Sequence, residues 1–431
     1  MKHARLLSLA LLVALVSGCG ERPASSEPAA RPATAPSEPP STTVEPAPSA
    51  GPDPLPSTPT PADDAPPPPD GCALVDAVPV PHAGGWTDLV ATDSGFLVAG
   101  LEAGGSREHL ALIALEPGSA PHEVARVALD YPTPSMHRAA GPVLERRGAQ
   151  VGLLLVDAEA RLLFALIDPA DPRLELRLVA EGASGRFRPA LAPTDDGWAV
   201  AWTDGRDTPM RVHTRTFDPA GRRPSPSRDL TPLAGGAGAP TVVIGSQPPT
   251  LIFLDPRRAT SVSLRAGLGE GGFVSPEVAR PIGLVTEPPE VVAVRLGDAE
   301  WLAYTGIGAL ATTAVGLVRL SGVDTPQVLV EGTGYGTLHV DADRLGAGAV
   351  FVADTPQEPA PGSARSVALR TASPSGALGE FQLLQGPSGT GDRARVASGS
   401  GGRVAVTFRD RETTYARTGR CAVPSLRDGD D

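Results

Sequence analysis

Aromatic residues are scarce in this chain of 431 residues, with four Trp, four Tyr and nine Phe making up 4% of it. Cysteine occurs only three times. Beyond about the first twenty residues no stretch carries a long amphipathic helical pattern. That excludes helical bundles and folds that alternate strand and helix. Basic charge is in deficit as well: 37 Lys and Arg against 49 Asp and Glu give a formal net charge of −12. A surface of that sign argues against nucleic acid as the main partner and offers no grip on anionic lipid.

Motifs for common chemistries are missing too. The seven histidines form no His-x-x-x-His or His-x-His pair, so no zinc site is expected. No Asp-x-Asp-x-Asp-Gly calcium loop occurs, and Asp195-Asp196-Gly197 reads as an ordinary hairpin turn. There is no Gly-x-Ser-x-Gly elbow, Walker loop or Rossmann fingerprint; the Gly-rich run at 267–272 has no helix after it. No catalytic residue, no metal and no cofactor is assigned on this reading. What the chain has in quantity is Gly and Pro, 49 and 48 residues. Together with few helical signals, that composition predicts many short strands joined by tight turns.

The first nineteen residues, MKHARLLSLALLVALVSGC, combine Lys2 and Arg5 with an apolar run at Leu6–Val16. The run is too short to span a bilayer and suits a secretory signal. Val16-Ser17-Gly18-Cys19 resembles the lipobox of bacterial lipoproteins, with Val16 in place of the usual Leu. The resemblance implies cleavage after Gly18 and acylation of Cys19, which anchors the protein in a membrane through several chains. Gly20 after the cysteine implies outer-membrane sorting, on the periplasmic side or the cell surface. Residues 20–70 are rich in Pro and free of aromatics. Such a segment cannot bury enough apolar surface to offset its ordering entropy, so it is read as an extended tether reaching at most ~150 Å.

The segment Arg188–Thr231 is the clearest unit of the remainder. Strand-like runs at Ala190–Ala192, Trp198–Thr203 and Arg211–Phe217 alternate with period two, and a weaker fourth follows. Polar turns separate them, giving a four-stranded antiparallel meander. Looser copies, about 45–50 residues each, fall at 85–130, 137–182, 238–284, 288–332 and 335–386. Four strands per unit at this period predict a β-propeller. The last unit has strand-like runs at Arg393–Ser398, Arg403–Phe408 and Tyr415–Arg420 but no fourth. Ala73–Val80, directly after the tether, supplies it. The ring is thereby expected to close as seven four-stranded blades over residues 71–421, with a short acidic tail at 422–431. Cys72 and Cys421 then become neighbours and are expected to form a disulfide.

The stretch PALAPTDDGWAVAWTDGRD, with fainter echoes in LVATDSGFLVAG and RVASGSGGRVAVTFRD, resembles secreted bacterial propellers with sialidase-like repeats. The resemblance implies the fold over roughly the mature chain. The Ser-x-Asp-x-Gly-x-Thr-Trp box of sialidase blades does not occur, so sialidase activity does not follow.

Aspartates recur in the turn after the second strand: Asp157, Asp204, Asp255, Asp354 and Asp410. Arginines gather in the same turns, among them Arg206, Arg257 and Arg409. In a propeller these turns share one face, and a mixed-charge ring there would hold an anionic sugar or a protein through bidentate contacts. The plain alternative is turn chemistry, with Asp capping its own turn and Arg keeping the loop soluble. Trp86, Trp198, Trp202 and Trp301 are read as packing between blades. The expected function is a monomeric, lipid-anchored, non-enzymatic binding or scaffold module for an envelope protein or glycan. Two other readings stand beside it, a carbohydrate-active (glycosidase-like) enzyme and an outer-membrane assembly factor. An enzyme would show convergent carboxylates with shifted pKa values in one pocket.

Overall fold

A computed structural model describes residues 71–423 except 105–106, 133–140, 207–208, 232–235, 256–260, 270–271, 274–275, 284–285, 287–288, 308–312, 323–324, 332–337 and 358–363. Cys19, the Pro-rich segment 20–70 and all but the first two residues of the 422–431 tail lie outside the described residues.

The described chain is all-β and propeller-like, built of four-stranded antiparallel meanders. The first sheet holds Trp86–Ala91, Phe96–Gly104, Arg107–Leu115 and His122–Pro132. The second runs from Val143–Arg147 to Arg177–Glu181, and the third from Ala190–Thr194 to Arg228–Asp229. The fourth opens with Gly238–Ile244 and the fifth with Val291–Leu296; a parallel pairing of Val243 with Ala293 and Ile244 with Val294 links them. The sixth sheet opens with Val340–Leu345. The last contains Asp392–Ser398, Arg403–Asp410 and Thr413–Ala422, and its fourth position is filled by Gly71–Leu74 from the other end of the chain. Val78–Pro79 pairs with the same third strand, so the expected run at 73–80 is two short pieces.

Why the sheets stack is visible in the second strands. Gly197–Asp204 is buried at every position, although its sequence alternates. Trp198, Val200 and Trp202 pack toward the second sheet with Phe164 and Leu154. Ala199 and Ala201 pack toward the fourth with Leu251 and Phe253. Both faces of the sheet are therefore core, the large residues on one side and the small ones on the other. Core packing on both faces repeats between each sheet and the next, though in the second sheet both faces carry large residues, Leu153 and Leu155 on one and Leu154 on the other. It ends with Ala405 and Ala416 of the last sheet packed against Val98 and Phe96 of the first. Gly152 illustrates the tightness: a Cβ there would lie 2.7 Å from Cζ3 of Trp198.

Cys72 and Cys421 face each other in register and are disulfide-bonded, with Cα atoms 4.0 Å apart. The bond joins residues separated by 349 positions and fastens the added strand to the last sheet.

Candidate functional site

The strand that opens each sheet, with the residues flanking it, contributes to one cavity of about 690 Å³ of non-protein space, part of it open to solvent. Carboxylates are unusually dense on its wall. Asp88 comes from the first sheet, Glu145 from the second, and Asp341 and Asp343 from the sixth. Asp341 and Asp343 stand two apart on one strand, which puts both side chains on the same face.

Arg188, just before the opening strand of the third sheet, reaches two of these groups. It donates to Oδ1 of Asp88 at 2.6 Å and to Oδ1 of Asp341 at 3.1 Å. The remaining oxygens are held as well. Oδ2 of Asp88 accepts the Leu144 N–H at 2.6 Å, and Oδ2 of Asp341 accepts the Val396 N–H at 3.0 Å. Each carboxylate thus staples its own sheet to the following one. Burial alone would lower the Arg188 pKa, but the two aspartates win and raise it. For Asp88 the balance tips the other way: burial, joined by the Asp341 charge, outweighs Arg188 and the Leu144 N–H, and its pKa rises.

Glu145 and Asp343 are not clamped by Arg188. Asp343 accepts the N–H groups of Ser398 and Arg344, each at 2.7 Å, and burial pushes its pKa up to about 6. Glu145 has no hydrogen-bond donor among the described residues. Burial first, and then the charges of Asp343, Asp88 and Asp341, push its pKa well above the usual range, with Arg188 opposing them. Both carboxyl groups therefore hold their protons to higher pH than ordinary side chains do, and Asp343 is mostly ionised at neutral pH. Two carboxyl groups with raised pKa values in one cavity can divide acid and base roles between them.

Where the opening strands begin, a second cluster forms. Glu290 meets Nδ1 of His339 at 2.7 Å, accepts the Val340 N–H at 3.2 Å, and lies 3.6 Å from Arg395. Burial would raise Glu290, but His339, Arg395 and Arg188 bring it down to about 2. Asp354 is fully buried; its Oδ2 accepts the His339 N–H and pairs with Arg365 at 3.5 Å, while Oδ1 has no partner. Burial lifts Asp354 to about 6, and Asp392 and Glu290 add to the rise against His339 and Arg365. Trp86 stands edge-on to His339, ring centroids 5.6 Å apart, and Arg393 covers one of its faces at 4.0 Å.

The aspartates singled out in the sequence all lie at or near the ends of second strands and are all buried. Asp157 accepts the N–H groups of Glu159 and Arg161 and pairs with the Arg161 side chain at 2.6 Å. Asp204 holds both the N–H and the guanidinium of Arg206, the latter at 2.6 Å. Asp410 accepts from Ser388 and Thr390. Asp255 is buried too. Arg409 forms a two-pronged pair with Asp392, at 2.9 and 2.8 Å. Arg257 lies outside the described residues. Of this set the structure brings Asp354 and Arg409 near one another, around Arg393.

Trp198, Trp202 and Trp301 are buried between sheets, whereas Trp86 borders the second cluster. The cavity carboxylates were missed because each looks like an isolated polar residue in an apolar strand. The signal was present in VDADRL at 340–345, WTDLVA at 86–91 and VLERR at 143–147, where acids interrupt opening strands that have every other reason to be apolar.

No family model matches the chain, and no curated protein matches it. Among solved structures it is similar to AofleA from Arthrobotrys oligospora, at 12% identity and a TM-score of 0.45, covering 72% of this chain and 90% of that one. It is similar to the α-L-arabinofuranosidase PaAbf62A from Podospora anserina in complex with cellotriose, at 10% identity and a TM-score of 0.33, covering 56% and 92%. A thermostable family-43 glycoside hydrolase gives 13% identity and a TM-score of 0.32, covering 57% and 95%. Scores this low transfer no activity. The expectation of a non-enzymatic protein is nevertheless corrected. Convergent carboxylates with shifted pKa values, the feature that reading lacked, line one cavity here.

Proposed function

We propose that this chain is a carbohydrate-active enzyme that hydrolyses glycosidic bonds in the central cavity of a closed, seven-bladed β-propeller. The observation that carries the proposal is the presence of Glu145 and Asp343, two carboxyl groups with raised pKa values, on one cavity wall. In glycoside hydrolysis one carboxyl group protonates the leaving oxygen while another activates water or attacks the anomeric carbon. Glu145 fills the first role and Asp343 the second. Asp343 is fixed in direction by the Ser398 and Arg344 N–H groups. Asp88 and Asp341, held by Arg188, provide a negative surround for the positive charge that develops on the sugar ring.

Ring closure is supported by the packing of the last sheet on the first and by the Cys72–Cys421 bond. On the cell scale, the lipobox-like end at Cys19 and the Pro-rich tether support a lipid anchor on the outer membrane, with the enzyme held away from the bilayer.

The experiment is release of reducing ends from a panel of neutral and acidic polysaccharides by the full-length protein. Glu145→Gln and Asp343→Asn should each lower the rate by about 10²–10⁴-fold while leaving the fold intact by circular dichroism. Absence of release from every polysaccharide, or unchanged rates in both variants, overturns the reading. Cys19→Ser should move the protein from the membrane to the soluble envelope fraction; continued membrane association would reject the lipid anchor.

A further inference from the structure

We propose that Arg393, stacked on Trp86 and three residues before the cavity-lining Val396, forms an anion subsite that takes a carboxylate or phosphate group carried by the ligand. On the hydrolase reading, the substrate is then an acidic glycan. Only that last step rests on the hydrolase reading; the subsite itself stands on the geometry of Arg393.

The guanidinium of Arg393 lies over the Trp86 ring, 4.0 Å from its centroid. The ring face satisfies the charge from one side and holds the fork flat, which leaves the in-plane N–H groups at its edge for another partner. Within the protein that edge makes one long contact, from NH1 to the Gly85 carbonyl at 3.4 Å. Among the described residues no carboxylate lies within ion-pair distance of it. Its nearest acids are engaged elsewhere, Asp392 by both prongs of Arg409 and Asp354 by Arg365 and His339.

Positive charge is concentrated at the same point. A Cβ on Gly85 would meet NH1 of Arg393 at 3.2 Å and NH1 of Arg409 at 3.6 Å, so two guanidinium groups crowd against one glycine. Burial, with Arg409 and then Arg365, lowers the Arg393 pKa, although the group remains a cation at neutral pH. An anion placed at its edge would relieve that crowding.

The backbone aims the side chain. Arg393 has φ of 54°, in the left-handed region, and sits in a bulge where pairing slips between Asp392 and Arg395. Bulges turn a side chain out of the regular alternation. Ala239 of the fourth sheet shows the same device, with φ of 51° and a slip between Gly238 and Thr241. The bulge therefore belongs to the fold, and what is particular to position 393 is the arginine. The side chain is only half-buried, so its free edge is within reach of a ligand.

The chemistry on offer is a bidentate contact from a preorganised guanidinium to a planar or tetrahedral oxyanion. A uronic-acid carboxylate and a sugar phosphate share it. The test is titration calorimetry on the full-length protein with galacturonate oligosaccharides, the matching neutral oligosaccharides, and inorganic phosphate. The uronate should bind at least about tenfold more tightly than the neutral sugar. Arg393→Ala should remove that preference, and Arg393→Lys should restore only part of it, since an ammonium cannot present the fork. Binding of phosphate without uronate, lost in Arg393→Ala, supports the subsite and assigns it to phosphorylated ligands. Equal binding of charged and neutral sugars, or a preference that survives in Arg393→Ala, overturns it, as does failure of both anions to bind. Melting curves of both variants show whether they are folded. Turnover does not enter the readout, so a lack of hydrolysis would count against Glu145 and Asp343 and leave this result standing.

Discussion

Arg188 joins acids from the first and sixth sheets through one guanidinium, and most of its surroundings are protein. Removing one member of such a buried set leaves the others charged and unpaired. Arg188→Met should cost about 3–5 kcal/mol in urea denaturation, and a loss under about 1 kcal/mol would mean that solvent reaches the clamp. The two raised aspartates give a second expectation. Asp343 and Asp354 have folded-state values of about 6 against the ordinary 3.8, so the folded protein binds their protons more tightly than the unfolded chain. Their contribution is complete below pH 4 and is lost as the pH rises through about 6. Glu290 acts in the opposite sense: its pKa of about 2 contributes stability above its ordinary 4.5 that disappears as the pH falls toward 2. Asp354→Asn should flatten the loss between pH 4 and 7 by up to about 3 kcal/mol, read from urea midpoints across that range. At this scale the sequence was only partly legible. The repeated aspartate after the second strand was visible because turn chemistry is local. Glu145 and Asp343 were not, because what makes them unusual is the company brought by other sheets.

Each sheet is an element with two core faces, and the third sheet shows what that demands. Trp198 and Trp202 point one way while Ala199 and Ala201 point the other, so adjacent sheets approach closely where a small residue meets a large one. Gly152 against Trp198 is one such close approach. Gly152→Val should destabilise by about 1–3 kcal/mol through overpacking. Trp198→Ala should cost about 3–5 kcal/mol through the void it leaves, and thermal or urea melts check both. Period-two alternation and the polar turns were legible along Trp198–Thr203 because they are properties of a single strand. The burial of the intervening alanines was not, since it depends on the neighbouring sheet. The opening strands misled for the related reason that their polar residues face a shared interior.

On the scale of the whole molecule, the ends of the chain complete one sheet and are bonded through Cys72 and Cys421. The missing fourth strand in the last unit and the unpartnered run at 73–80 made this pairing legible in the sequence. A cross-link spanning 349 positions removes conformational freedom chiefly from the unfolded chain. Cys72→Ser with Cys421→Ser should therefore lower stability by up to about 5–6 kcal/mol in urea, with near-native circular dichroism retained. Glu145 and Asp343 line a common cavity, and the hydrolytic proposal depends on that meeting. The pH dependence of kcat/KM on a cleaved glycan tests it most directly. The rate should rise with an apparent pKa near 6 as Asp343 ionises, and fall at higher pH as Glu145 loses its proton. A flat profile through this range, or one unchanged in Asp343→Asn, would contradict the assignment of these two carboxyl groups to the reaction.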